Sequence, residues 1–335
     1  FLVRSGILNS VHTFANDPSR GIYLLLFLSF MIIVSIMLLF KKYKNDNYII
    51  NFNSRETFIL ANNWFMIFFL ITVLLGTIYP IFTEVLTGHQ ISIGPPFYNK
   101  IIIPVVIFFL IFMSLGPRAK WIRNEFSNIK ILFIILIVSI FFNFIITYFL
   151  KSNSLISNMI FISAFFLIFA TLVDVYKLKK KVGMNISRIV SHISFGFLIL
   201  FIGLNNNFTL EKDFNLKLGE KKNFENYQLE FKDLELKDFK NYKSVIGIFK
   251  VNNLLDNSKH VLKPEIRVYN QPSTLTYEAS IRTSLIKDYY ITMSNIDRSE
   301  YYNIKFQKKP FMNLIWFSTI LIVFGGFLRM LDRKF

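Results

Sequence analysis

Seven stretches of this chain are each apolar over about the length that crosses a lipid bilayer, and no other property of the sequence limits its fold so strongly. They lie near residues 21–40, 58–80, 100–116, 131–150, 155–176, 186–204 and 311–328. A hydrocarbon core of about 30 Å takes about 20 helical residues to cross. Lipid offers no water to an unpaired backbone group, so each stretch is read as a helix. The third is the shortest and holds Pro104, which weakens it as a span. With 53% hydrophobic residues and 40 Phe, the chain has the composition of a polytopic membrane protein.

The charge pattern orients these spans. The net charge of +17 would suit a nucleic-acid binder, but the excess is gathered in short loops between apolar spans, so no nucleic-acid partner is expected. Lys41, Lys42, Lys44 and Arg55 follow the first span, and Arg118, Lys120, Arg123 and Lys130 follow the third. Lys177, Lys179, Lys180, Lys181 and Arg188 follow the fifth, and Arg329, Arg333 and Lys334 end the chain. The alternate loops carry far less: Arg4 and Arg20, then Lys100, then Lys151. Basic loops stay inside, which predicts that the N-terminal residues, the loop 81–99 and the segment 205–310 are external. The chain begins with Phe1 and shows no signal peptide, which reads as a fragment, a processed product or the downstream part of a longer protein. With no cysteine, thiolate metal sites and disulfides are excluded within it.

Residues 205–310 change character. Charges are dense there, and short β-rich runs such as Val245 to Val251 and Tyr289 to Met293 alternate with Asn, Asp, Lys and Pro. This predicts a small external β domain inserted before the last helix. The expected organisation is therefore an external loop at 1–20, six membrane helices over 21–204, the β domain at 205–310, and a last span with a cytoplasmic tail at 311–335. In the loop 81–99, Pro80 is expected to close the second span, and Gly94-Pro95-Pro96 to make a turn followed by an extended stretch. His89 there reads as an exposed residue of a rigid connector, and His260 as a surface turn residue of the β domain.

Two histidines are candidates for chemistry. His192 lies inside the sixth span, where an ionisable group is costly and marks a functional candidate. A neutral imidazole there can bond a neighbouring helix, relay protons or ligate a haem iron. Gly196, one turn on, removes side-chain bulk, as either a flat macrocycle or a tightly packed helix requires. His12 lies on the expected external face, between Arg4 and Arg20, and reads equally as a solvated loop residue or a ligand. The two guanidinium forks suit carboxylates such as haem propionates and equally read as ordinary surface charges. Asp174, near Lys177 at the end of the fifth span, suits an interfacial ion pair.

At these residues the sequence resembles the CcmF family, the membrane haem lyase component of cytochrome c maturation. The resemblance rests on Leu2-Val3-Arg4-Ser5-Gly6-Ile7-Leu8 leading to Ser10-Val11-His12 and Phe14-Ala15, and on Gly76-Thr77-Ile78-Tyr79-Pro80. It rests also on Ser92-Ile93-Gly94-Pro95-Pro96-Phe97-Tyr98-Asn99, Ser191-His192, Pro264 to Tyr269 and Asp288-Tyr289-Tyr290. It spans the whole chain but only the C-terminal portion of the family's usual protein. It implies that His12 is one of two external ligands to the haem delivered by a chaperone, and that His192 is one of two ligands to a resident haem b. It implies covalent attachment of the transferred haem to the CXXCH thiols of apocytochrome c, in a bacterial or mitochondrial inner membrane, beside an apocytochrome thiol-reducing partner. The family's tryptophan-rich segment and the partner histidines do not occur here, so an upstream portion or separate subunit is expected to supply them, and activity is not expected without it. A haem or solute transporter, and a scaffold that binds apocytochrome without chemistry, stand as alternatives.

Overall fold

The computed structural model describes residues 18–42, 51–88, 91, 93–121, 129–149, 154–178, 185–270, 273–295 and 299–331. Its contacts divide the chain into two units, Phe1–Ile129 and Lys130–Phe335.

The first unit holds α1 (Pro18–Lys42), α2 (Arg55–Thr87) and α3 (Pro95–Leu115). On α1 the apolar side chains run round the whole circumference and lie exposed, as with Phe30 and Phe40, which water would not tolerate and lipid favours. The helix begins at Pro18, so Arg20 is in its first turn and not in a preceding loop.

Pro80 does not end α2. The helix runs through it to Thr87, 33 residues in all, or about 50 Å. Proline removes one backbone donor and crowds the carbonyl four residues back, which here belongs to Gly76. The threonine hydroxyl of Thr83 bonds the carbonyl of Pro80 at 2.9 Å, giving a backbone acceptor near the break a partner. Nor are Pro95 and Pro96 an extended stretch. They open α3, with Gly94 as N-cap in extended conformation, because the first helical turn needs no N–H from them. The third span is thereby a full 21 residues with Pro104 inside it. Phe65 and Phe69 of α2 interleave with Phe109 of α3 at 5.4 and 5.9 Å between ring centres.

Among its described residues the second unit holds α4 (Ile129–Phe149), α5 (Leu155–Leu178), α6 (Ile186–Phe208), ten strands and α7 (Met312–Leu331). Its core in the membrane region is Phe161, Ala164, Phe165, Ile168 and Leu200, where α5 meets α6.

The strands run from β1 (Leu210–Leu216) through β2 (Lys221–Phe224), β3 (Tyr227–Asp238), β4 (Tyr242–Asn253), β5 (Lys259–Leu262), β6 (Glu265–Tyr269), β7 (Leu275–Glu278), β8 (Ser280–Thr283) and β9 (Lys287–Asn295) to β10 (Tyr302–Pro310). They form a β-sandwich of two antiparallel sheets, one ordered β1-β10-β9-β8 and the other β2-β3-β4-β6-β7 with β5 beside β4. Alternate residues Leu229 and Phe231 of β3, Phe249 and Val251 of β4, Ile291 and Met293 of β9, and Ile304 and Phe306 of β10 fill the space between. At Gly247 a Cβ would stand 2.7 Å from the sulfur of Met293, so only glycine lets the sheets approach there. The sandwich is inserted between α6 and α7, with Thr209 alone separating α6 from β1 and Phe311 alone separating β10 from α7.

Candidate functional site

His192 sits about two turns into α6, half-buried. Two neighbours grip this helix from different sides. On the α7 side, the Ser187 hydroxyl donates to the Gly325 carbonyl at 2.7 Å, and a Cβ on Gly325 would strike the Ser191 side chain. Farther along, the Asn205 amide donates to the Pro310 carbonyl at 2.5 Å. On the α5 side, a Cβ on Gly196 would lie 2.6 Å from Ile168, and one on Gly203 would lie 2.8 Å from Phe161. Glycine at 196 therefore serves close helix packing, and Ile168 fills the gap it leaves. At about 100° per residue, His192 stands about 100° round from Ser191 and about 40° from Gly196. It borders the α5 seam on a stripe with half-buried Arg188, Phe195 and Ile199. Asp174, also half-buried, lies in the last two turns of α5.

The other residues singled out by sequence fall elsewhere. His12, Arg4 and His89 lie outside the described residues, and Arg20 is in the first turn of α1. The two motifs flanking the second loop meet in the first unit: the Tyr98 hydroxyl lies 2.5 Å from where a Cβ on Gly76 would stand. Glycine at 76 thus admits the Tyr98 ring against α2 one turn before Pro80.

His260 is not a turn residue. Asn257, at φ 53°, makes the turn, and His260 pairs with Val251 inside β5 with its side chain half-buried. Its ring lies 5.0 Å from that of Tyr289, which in turn meets Tyr227 edge-on at 5.9 Å. Burial, with Arg282 and Lys287 nearby, holds the His260 imidazole below its ordinary pKa, so it is neutral near pH 7. Burial raises both the Tyr227 and the Tyr289 hydroxyls, and it raises the Asp288 carboxyl against one backbone hydrogen bond from Ser284. The buried Nδ1 of His260 and Oδ1 of Asp288 have no hydrogen-bond partner among the described residues. Sequence flagged Asp288-Tyr289-Tyr290 as a motif but gave no sign that His260 would join it, because the contact of His260 on β5 with Tyr289 on β9 spans 29 residues of chain. The Pro264 to Tyr269 motif is divided between the faces of its sheet: Ile266 points into the core, while on the other face Arg267 bonds Glu265 at 2.8 Å and lies 4.9 Å over the Tyr242 ring. Among the described residues no three His, Cys, Asp or Glu side chains gather as a metal site.

Among the described residues, seven long apolar helices with a β-sandwich set before the last define a multi-pass membrane protein of a particular build. Residues 207–310 match the family described as "CcmF C-terminal beta-sandwich". The whole chain is 29% identical to the cytochrome c-type biogenesis protein CcmF of Pseudomonas fluorescens over 351 residues, covering 52% of that protein. It is likewise 29% identical to CcmF of Haemophilus influenzae, covering 54% of it, and 26% identical to CcmF of Escherichia coli, covering 53%. The solved structure of "Cytochrome c Heme Lyase CcmF" superposes with a TM-score of 0.69 over 94% of this chain and 51% of that one, at 18% identity. Residues 207–310 thus match that sandwich family, the chain is similar over its whole length to CcmF proteins, and it spans about half the length of the relatives it matches.

Proposed function

We propose that this chain is the C-terminal part of a cytochrome c haem lyase, in which His192 ligates a resident haem b and His12 ligates the haem to be transferred. The observation that carries this reading is a half-buried imidazole in the sixth span of a chain whose entire length aligns with proteins named for cytochrome c-type biogenesis. A histidine facing lipid alone would be costly, whereas a neutral imidazole held at the edge of a helix seam is a good iron donor.

The residues fit such a group on one side only. Ile168 occupies the Gly196 face, which leaves the stripe of Arg188, His192, Phe195 and Ile199. His192 would supply one nitrogen donor to the iron, and a second donor would come from sequence outside this chain. A bound haem b supplies one-electron chemistry, suited to reducing the incoming iron. The work of this chain's own residues is to present a neutral nitrogen, to exclude water through Phe195 and Ile199, and, with Arg4 and Arg20, to meet the carboxylates of transferred haem. The N-terminal residues and the sandwich face outward, to the periplasm of a bacterial inner membrane, following the basic loops. Partners are the upstream portion with its tryptophan-rich segment, a haem chaperone, apocytochrome c and its thiol-reducing partner.

The test is maturation of a reporter cytochrome c in cells carrying the complete protein. His12→Ala is expected to abolish covalently bound haem on the reporter while the protein accumulates normally and keeps its own haem. Full maturation by His12→Ala contradicts the role given to His12.

A further inference from the structure

The membrane-side end of the sandwich carries two apolar turns that no core contact explains. The turn between β8 and β9 exposes Leu285 by 78% and Ile286 by 57%, and the turn between β4 and β5 exposes Leu254 by 53% and Leu255 by 75%. Their depth is set by hydrogen bonds. The Phe311 N–H donates to the Ile286 carbonyl at 2.6 Å, and the Asn313 amide donates to the Ser284 carbonyl at 2.7 Å. The β8–β9 turn therefore lies against the first turn of α7, where that span leaves water. The other turn is held beside it by an ion pair of Asp256 with Lys287 at 3.4 Å.

The charges around the turns suit the same surroundings. Lys287, Lys308 and Lys309 occupy the last rungs of the β9–β10 ladder before α7. Each ammonium lies over a tyrosine ring, at 5.6 Å from Tyr289, 5.8 Å from Tyr227 and 5.2 Å from Tyr290. Trp316, 62% exposed, stands just over one turn into α7, at the depth where tryptophan favours the bilayer interface. Apolar tips ringed by lysine and bordered by tryptophan match a headgroup layer with acyl chains beneath it.

We propose that Leu254, Leu255, Leu285 and Ile286 insert into the interface of the bilayer that α7 crosses, with Lys287, Lys308 and Lys309 at anionic headgroups. The lipid surface is the partner because the turns are continuous with a span already committed to it. Insertion fixes the sandwich against the membrane at two points besides its covalent links to α6 and α7. It does not depend on which side of the membrane the sandwich faces, nor on haem.

This chain holds no cysteine, so once any cysteine elsewhere in the complete protein is replaced by serine, each introduced cysteine is a unique labelling site. Leu285→Cys, Leu255→Cys and, as a control on the far end of β3, Leu236→Cys are each given an environment-sensitive fluorophore in the complete protein, reconstituted in phosphatidylcholine–phosphatidylglycerol vesicles. Labels at 285 and 255 are expected to be quenched by brominated acyl chains about twofold or more above the 236 label, and weakly by aqueous iodide. Iodide quenching at either position equal to that at 236 overturns the proposal. Shielding from both quenchers at either position also overturns it, because a protein surface then covers the turn.

Discussion

Gly196 of α6 lies so close to Ile168 of α5 that a Cβ on the glycine would stand 2.6 Å from the isoleucine Cγ1. Gly196→Ala must displace a branched side chain that is itself 4% exposed, so it is expected to destabilise the α5–α6 pair by about 1–3 kcal/mol. Ile168→Ala in the same chain is expected to recover part of the loss. Denaturant midpoints of the two single variants and the double variant check this coupling.

The α6–α7 seam gives a second prediction. Ser187→Ala removes the hydrogen bond to the Gly325 carbonyl and is expected to cost about 0.6 kcal/mol, with about 1.7 as an upper bound. Gly325→Ala is expected to cost more, since its Cβ meets both the side chain and the backbone of Ser191. The same unfolding measurement ranks the two.

Phe311 joins β10 to α7 at φ 63°, a left-handed conformation that a phenylalanine rarely adopts. Its ring packs 6.1 Å from Phe201 and 6.5 Å from Phe208. Both Phe311→Ala and Phe311→Gly lose that packing, but glycine relieves the backbone. Phe311→Gly is therefore expected to be the more stable of the two, by about 1 kcal/mol.

The sandwich should weaken in mild acid through His260. Its pKa is lowered in the folded state, so between the folded value and about 6.5 the unfolded chain holds the proton and the folded one does not. Its contribution is intact above about pH 6.5 and falls as the pH drops toward the folded value. His260→Gln is expected to flatten that part of the stability curve. Asp256, held down to about 2 chiefly by Ser258, adds a separate loss that sets in near pH 4 and is complete near pH 2. Thermal unfolding from pH 7.5 to 5 compares the two proteins.

How far sequence reached follows from which interactions are local. The spans were legible because lipid imposes length and apolarity on each helix separately, and the sandwich was legible as alternating short runs such as Tyr227, Leu229 and Phe231. Proline misled twice. Pro80 continues a helix whose other residues favour it, and Pro95-Pro96 start one, since a proline's missing donor is harmless in a first turn. His260 was misplaced because its neighbours in sequence look like a turn, while Tyr289, which covers it, is 29 residues away. At Gly196, sequence allowed either a macrocycle or a neighbouring helix, and only the position of Ile168 separates them.

The role of His192 is tested most directly by the reduced-minus-oxidised absorption spectrum of the purified complete protein, with and without His192→Ala. The account predicts a low-spin haem b signal that is present in the parent protein and lost in His192→Ala at equal protein level. An unchanged haem signal in the folded variant, or no haem in the folded parent, contradicts it and leaves His192 as a residue that packs α6 beside α5.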